Sequence, residues 1–344
     1  MPDDHEARDL MALCLWILGG VTVSCLVLGC GLVLGGILSG YWAWLPAFVA
    51  TAGLAQWLAS WSARSHRYGA LSVSRVVQYG GAAAGQVAAG LWQSGPGGLI
   101  AGPVFSQAAA AVCLSRPAPS GGWRSLLRVP AAALRRVARR HRDFPVINTP
   151  HAFAGALQDT VTVALLVALS GEAAAGFWGL ALRYLKAPAS LVGGAVSQAL
   201  YPRLGQSAPN EARAEVLQVM KTLAAIAAPM VLLLLLFGPD LFAAAFGEPW
   251  RDAGRLARAL APYIGMHFIA SPLAVVTMAW NAQGWALRFS LAGQVLFLLA
   301  LAVGVTQGGL VGGAWAVSVV MVLYFGCYFW LLATWRDVPD VRTV

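Results

Sequence analysis

The sequence predicts an all-α fold, a polytopic bundle of membrane-spanning helices. Apolar residues occupy 59% of the 344 positions and charged residues only 11%, a balance that excludes an ordinary soluble globular domain. Apolar runs of about 20 residues recur along the chain, and each is long enough to cross a bilayer as a helix. Strands of alternating polarity, which a membrane barrel needs, are missing from the sequence. We therefore expect a multi-pass helical membrane protein.

Hydropathy predicts about ten transmembrane helices. In chain order the predicted spans cover residues 10–35, 42–61, 77–95, 98–115, 150–170, 173–199, 218–238, 259–281, 285–306 and 309–334. The first apolar run is too long for the core of a signal peptide, so we expect it to remain in the protein.

The spans are predicted to form two lobes on either side of a polar linker. Residues 1–115 hold four spans, residues 150–335 hold six, and residues 336–344 form a cytoplasmic tail. The linker at 116–149 carries eight arginines. Its second half has the pattern of a basic amphipathic helix that lies at the cytoplasmic membrane surface.

A second stretch, Asp240 to Arg258, is predicted to lie along the outer membrane surface. Phe242, Phe246 and Trp250 recur there every four residues, with charged residues between them. This spacing places the aromatic rings on one helical face, as in interfacial helices.

Loop charges predict that both termini are cytoplasmic. In that orientation 18 of the 23 lysines and arginines fall in cytoplasmic loops, three fall outside and two lie within a span, as the positive-inside rule requires. The formal net charge of +9 then reflects topology and attraction to anionic lipids, and nucleic acid is not expected as a partner.

Enzyme signatures are weak in this chain. The five cysteines lie in apolar spans without a CxxC pair, so neither a metal nor a cofactor is predicted. No phosphate-binding loop, GxSxG or HExxH motif occurs. A membrane-embedded transferase could use His151 with Asp159, but we expect a protein that is not an enzyme.

Two cations in the middle of one span are the strongest functional signal. Arg183 and Lys186 lie near the centre of the span 173–199, where a charge costs about 2.5 to 3.5 kcal/mol on insertion scales. They share a helical face, three residues apart. Pro188 beside them is a candidate hinge. We expect these cations to face a polar cavity, a counter-ion or an anionic substrate.

Asp159, deep in the preceding span, is the candidate counter-ion. Measured from a turn at Gly171, Asp159 lies twelve residues before and Arg183 twelve after, so both are about 18 Å from the end of an antiparallel hairpin. Two interpretations stay open. Either the two charges form a buried pair that merely neutralises itself, or they line a functional cavity. The first leaves Lys186 without a partner.

Further polar side chains in or beside the spans suggest a polar lumen, although each alone is more often a hydrogen bond between helices. They are Gln78, Gln86, His151, Gln158, Gln198, Asn281 and Gln294. The candidate cavity residues are Arg183, Lys186, Asp159, Gln158, His151 and Gln198.

The middle of the chain resembles a known family. The matching segments are Arg142-Asp-Phe-Pro145, Ala175-Gly-Phe-Trp-Gly-Leu-Ala-Leu-Arg183-Tyr-Leu-Lys-Ala-Pro188, Val196-Ser-Gln-Ala-Leu-Tyr-Pro-Arg203, and Phe237-Gly-Pro-Asp-Leu-Phe with Phe246-Gly-Glu-Pro-Trp-Arg-Asp-Ala-Gly. They are similar to polysaccharide biosynthesis proteins of the oligosaccharide flippase type, the Wzx-like members of the MATE-related (MOP) exporter superfamily. The resemblance is strong over residues 142–285 and rests on hydrophobic spacing elsewhere.

This resemblance implies a carrier with alternating access in the bacterial inner membrane. Its substrate would be a polyprenyl-diphosphate-linked oligosaccharide for lipopolysaccharide, O-antigen or exopolysaccharide, with Lys186 and Arg183 holding the diphosphate and Asp159 balancing their charge or gating movement. Membrane lipids and the polysaccharide polymerase with its chain-length machinery are the other implied partners. The family has six helices before the linker, so this chain is expected to lack the first two.

Two other functions stay open. One is an ion-coupled drug or metabolite exporter of the same superfamily, although a cationic substrate would favour acidic cavity residues. The other is a membrane glycosyltransferase or ligase of the same pathway.

Overall fold

The computed structural model describes residues 4–36, 39–92, 95–116, 122–204, 206 and 208–335, and within them it is helical without strands. The all-α prediction is confirmed. In chain order the helices are α1 Asp4–Leu34, α2 Leu45–Arg64, α3 Tyr68–Leu91, α4 Gly95–Leu114, α5 Arg124–Leu127, α6 Ala131–Arg140, α7 Asp143–Ser170, α8 Glu172–Leu204, α9 Pro209–Phe246, α10 Arg251–Ala279 and α11 Gln283–Ala333.

The predicted spans fall largely on these helices, and the last two share α11. Six helical stretches in the described ranges are long and apolar enough to cross a membrane. They are His5–Leu34, Gly97–Leu114, Ala152–Ser170, Pro209–Phe246, Glu248–Ala279 and Gln283–Ala333. The protein is thus a multi-pass membrane protein, whereas the count of about ten crossings stays a prediction.

Helix α11 is two helices joined at a glycine pair, as the predicted break between residues 306 and 309 requires. Gly308 and Gly309 leave helical geometry, and Gly309 has φ of 63° and ψ of −164°, a region open essentially to glycine alone. The two halves then run back along each other. Where they meet, a Cβ on Gly304 would lie 2.8 Å from the Cα of Gly313, so small residues allow the close approach.

The chain divides into two compact units, Met1–Asp143 and Phe144–Val344. This division falls inside the predicted linker, at 116–149, and the proposed lobes of four and six spans stay a prediction. The tail at 336–344 lies outside the described residues.

In the first unit, glycines bring α3 and α4 together. A Cβ on Gly85 would lie 3.1 Å from the Cα of Gly102, and one on Gly81 the same distance from the Cβ of Ser106. The Gly81-Ala-Ala-Ala-Gly85 spacing therefore forms a helix contact of the small-residue type.

The basic amphipathic helix predicted in the linker is α6. Val137 is buried, whereas Arg135, Arg136 and Arg139 are exposed. Helix α6 is attached to α1, where Glu6 forms an ion pair with Arg140 and a hydrogen bond with the ring of His141. One face of this segment therefore packs on the unit and the other presents guanidinium groups.

In the second unit, α10 is the central helix and packs against α8, α9 and α11. Its buried side chains include Leu260, Ile264, Phe268 and Leu273. A Cβ on Gly254 would lie 2.5 Å from the Cα of Pro239, so α9 and α10 approach closely near their connection. The charged residues of α8 are thereby held against a tightly packed helical core.

The surface helix predicted from Asp240 to Arg258 is wrong. Helix α9 continues to Phe246, the chain turns at Gly247 with φ of 97°, and α10 begins at Arg251. Phe246 and Trp250 pack on α8. Ring centroids are 4.8 Å apart for Tyr184 and Phe246 and 5.8 Å apart for Phe177 and Trp250. The four-residue spacing of these aromatic residues therefore reflects packing between helices.

Candidate functional site

A cavity of about 290 Å³ lies between α7 and α8 and is lined by charged residues from both helices. Helix α7 contributes Gln158 and Asp159, and α8 contributes Arg183 and Lys186. Phe297 of α11 forms part of the wall. We refer to it as the charged cavity.

The sequence of α8 explains why the cations face this cavity. Trp178, Ala181 and Leu185 are buried and form one face of the helix, which packs in the core with α10. Arg183 and Lys186, three residues apart, lie off that face. Because the apolar face is committed to the core, the two cations point to the cavity between α8 and α7.

Asp159 lies in the same cavity as Arg183 and Lys186, as the hairpin count suggested. Asp159 is close enough to Lys186 for an electrostatic interaction between the two side chains. Within the described part of the chain, however, it forms no ion pair with either cation at 4 Å. The interpretation of a self-neutralising pair is therefore not what the geometry provides. The cavity holds two positive groups and one negative group with space between them.

Two more polar atoms at this cavity are buried without a hydrogen-bond partner among the described residues. They are the Oγ1 atom of Thr162 and the Nε1 atom of Trp178. Buried polar groups usually have a partner, because an unpaired one costs about 1 to 3 kcal/mol. A polar ligand or water in the cavity would remove that cost.

The remaining predicted residues lie elsewhere or outside the described side chains. Gln198 is exposed on α8, twelve residues beyond Lys186 and therefore about 18 Å along the helix. His151 lies on α7, but its side chain is outside the described part. Pro188 is exposed within α8, which is helical on both sides of it. Its role as a hinge stays a prediction.

Sequence reasoning missed residues on α10 and α11 that lie beside the charged cavity. The ring of Tyr263 is 5.8 Å from that of Phe297 and 5.9 Å from that of His267. Asp159 is close enough to Tyr263 for an electrostatic interaction, and Lys186 is close enough to His267 for another. A histidine in the apolar span 259–281 was the available signal, because an ionisable residue at that depth is costly.

No metal site accompanies these residues in the described ranges, where no three His, Cys, Asp or Glu side chains come together in a way that could hold an ion. Two cations, an amide and unpaired donors can bind an anion with several oxygens.

Comparison with known proteins identifies the family. The profile of the family described as polysaccharide biosynthesis protein matches residues 47–255, which is more than half of the chain and includes both helices that form the charged cavity. No curated protein and no solved structure matches the chain significantly. The chain belongs to the polysaccharide biosynthesis protein family, and as a multi-pass membrane protein it has a role in polysaccharide biosynthesis.

Proposed function

We propose that this protein is a flippase that carries a polyprenyl-diphosphate-linked oligosaccharide across the bacterial inner membrane by alternating access. The observation that carries the proposal is the charged cavity, where Arg183 and Lys186 lie together and Asp159 pairs with neither. Lipid-linked sugars of polysaccharide biosynthesis carry their negative charge on the diphosphate. The cavity supplies the complementary charge at a depth where an unused cation would be costly.

Each residue then has a role in the transport cycle. Lys186 and Arg183 bind the diphosphate oxygens through charge-assisted hydrogen bonds. Gln158 and Thr162 contribute neutral donors from α7. Asp159 reduces the net positive charge, so that the diphosphate binds without being trapped and leaves in the outward state. Pro188 lets α8 bend as the cavity changes its opening.

This assignment implies an orientation and partners. Both termini lie in the cytoplasm, where the exposed arginines of α6 contact anionic lipid headgroups. The saccharide is delivered to the polymerase and chain-length machinery on the other side of the membrane. In this assignment the protein moves its substrate without catalysing a reaction on it.

The charge balance separates this function from export of a cationic drug. A cavity for cations would be expected to hold more carboxylates than basic groups. Here the two bases outnumber the one acid among the lining residues. The charged cavity therefore favours an anionic substrate.

The test is a double variant, Arg183→Gln with Lys186→Gln, in cells from which the chromosomal gene has been deleted. We expect surface polysaccharide to disappear while the protein remains in the membrane. In nanodiscs, binding of undecaprenyl diphosphate should weaken by about 100-fold or more, because hydrogen bonds to charged groups contribute about 1.5 to 3 kcal/mol each.

A matched double control uses cations outside the charged cavity, Lys221→Gln with Arg288→Gln. Both side chains are exposed, on α9 and α11 respectively, and should leave export and binding unchanged. Full export by a stable Arg183→Gln, Lys186→Gln protein would contradict the proposed function.

A further inference from the structure

A second cavity lies in the same unit, between α10 and the two halves of α11. Its volume is about 400 Å³, larger than that of the charged cavity. No Asp, Glu, Lys or Arg lines it. Its walls combine aromatic rings with neutral hydrogen-bonding groups, which is the composition of small-molecule binding sites.

The aromatic walls are held in fixed positions. The ring of Phe289 stacks on that of Tyr324 with centroids 4.6 Å apart, and Tyr328 lies 5.7 Å from Phe289. The hydroxyl of Tyr324 donates a hydrogen bond to the carbonyl of Phe289 at 3.0 Å. Gly293 makes room for this arrangement, because a Cβ there would lie 2.4 Å from the ring of Tyr324. The ring faces are therefore arranged before any ligand arrives.

Polar groups of this cavity can form further hydrogen bonds. The Nδ1 atom of His267 is buried with no hydrogen-bond partner in the described part of the chain. Gln283 lines the same cavity. Ser290 accepts a hydrogen bond from the amide of Gln294 at 3.4 Å, which leaves its hydroxyl proton available. These groups can donate to and accept from a neutral ligand with many hydroxyl groups.

The second cavity lies next to the charged one. Phe289 lines the second cavity and Phe297 lines the charged one, eight residues further along α11, which corresponds to about 12 Å along the helix. Tyr263 lies between them, with its ring in contact with both Phe297 and His267. The charge of Lys186 acts on His267. A ligand that joins an anionic group directly to a neutral group could therefore occupy both cavities.

We propose that the second cavity binds the sugar residues of the lipid-linked substrate while the charged cavity holds the diphosphate. This inference rests on the proposed function. A pyranose ring presents apolar C–H groups on its faces and hydroxyl groups at its edge. The faces pack against the aromatic walls of the cavity, and the edge hydroxyls bond to His267 and Gln283. The absence of charge in the lining selects a neutral saccharide.

The experiment compares two natural ligands on the full-length protein in nanodiscs. The first is the pool of lipid-linked saccharides that accumulates in cells deleted of this gene, labelled with radioactive sugar precursors. The second is bare undecaprenyl diphosphate. We expect the saccharide-bearing lipid to bind at least tenfold more tightly, because the sugar adds the contacts of the second cavity.

Ala286→Trp fills the second cavity from α11, and Ala292→Trp is its control, since Ala292 is exposed on the same helix and does not line the cavity. Ala286→Trp should abolish the tenfold preference and keep binding of undecaprenyl diphosphate within twofold, whereas Ala292→Trp should keep both. His267→Phe, which retains a ring and loses its nitrogens, should reduce the preference at least threefold.

The outcomes distinguish the two proposals. If the wild-type protein binds neither lipid, the proposed function fails and the saccharide site with it. If it binds both lipids equally, or if Ala286→Trp keeps the full preference, the saccharide site alone is overturned. Loss of undecaprenyl diphosphate binding in Ala286→Trp would assign the cavity to the lipid tail, and would also overturn the inference.

Discussion

Tyr263 and Phe297 contact each other edge to face, with ring centroids 5.8 Å apart, and this contact joins the wall of the charged cavity to the central helix α10. Phe297 also contacts Trp178 of α8, at 6.4 Å. Three helices therefore meet at one ring. The charges of α8 are positioned by a core that includes residues distant in sequence.

Phe297→Ala should destabilise the protein because Phe297 is 2% exposed and its removal leaves a cavity. Such truncations cost about 3 to 5 kcal/mol in packed cores. Thermal unfolding of the purified protein in detergent would measure the change. Phe237→Ala is the control, since Phe237 is 51% exposed on α9 and should lower the midpoint far less. Equal effects of the two variants would contradict the role of Phe297 in the core.

Asp159→Asn should strengthen binding of undecaprenyl diphosphate and slow transport. Asp159 opposes the positive charge that holds the anion, and its removal should improve binding by about 1 kcal/mol, the size of a solvent-screened charge pair, or about fivefold. Equilibrium binding in nanodiscs and surface polysaccharide in cells are the two measurements. Glu172→Gln, at the exposed start of α8, is the control. Weaker binding by Asp159→Asn would instead mean that Asp159 positions the cations.

Local patterns were enough to predict much of this architecture. The loss of hydrophobicity in the linker and its arginine spacing indicated α6, and the end of one apolar span at residue 306 and the start of the next at 309 indicated the break in α11. The equal distances of Asp159 and Arg183 from Gly171 placed both near one cavity, because adjacent helices with a short turn run antiparallel. Each of these inferences needs only neighbouring segments of the chain.

The residues around the charged cavity that come from other helices could not be predicted, because their positions depend on packing between segments that are distant in sequence. Tyr263, His267 and Phe297 reach the charged residues through the positions of α10 and α11 relative to α8, and helical periodicity does not specify which helices are neighbours. The error at Phe242 and Phe246 has the same origin. An aromatic stripe suits a membrane surface and a helix–helix contact equally, and here Phe246 and Trp250 of the stripe contact α8. Hydropathy alone does not distinguish a helix that packs on a membrane surface from one that packs on another helix.

Gly304→Ala should separate the two halves of α11. A Cβ at this position would lie 2.6 Å from the Cβ of Ala316 and 2.8 Å from the Cα of Gly313, and neither atom belongs to a flexible side-chain end that could move aside. Overpacking of this kind costs about 1 to 3 kcal/mol, which thermal unfolding in detergent would detect.

The control for that substitution lies on the same helix. Gly326 has no heavy atom within 4 Å of an added Cβ, so Gly326→Ala should be neutral or stabilise by about 0.5 to 1 kcal/mol through the higher helix propensity of alanine. If Gly304→Ala unfolds at the same temperature as Gly326→Ala, the two halves of α11 are not in close contact.

Glu6→Gln should loosen α6 from α1. The carboxylate of Glu6 is 3.2 Å from the guanidinium of Arg140 and 3.1 Å from the ring of His141, and the Glu6 side chain is only 18% exposed. Apolar contacts of Leu126 and Val129 with Ala12 hold the same segment, so the loss of stability should be about 1 kcal/mol or less and the fold should survive.

Faster trypsin cleavage at the arginines of α6, by about fivefold, is the expected result in nanodiscs. Asp9→Asn removes a charge from the same turn of α1 without removing either contact of Glu6, and should leave the cleavage rate unchanged. Equal rates for Glu6→Gln and the wild-type protein would mean that the apolar contacts alone hold α6 in place.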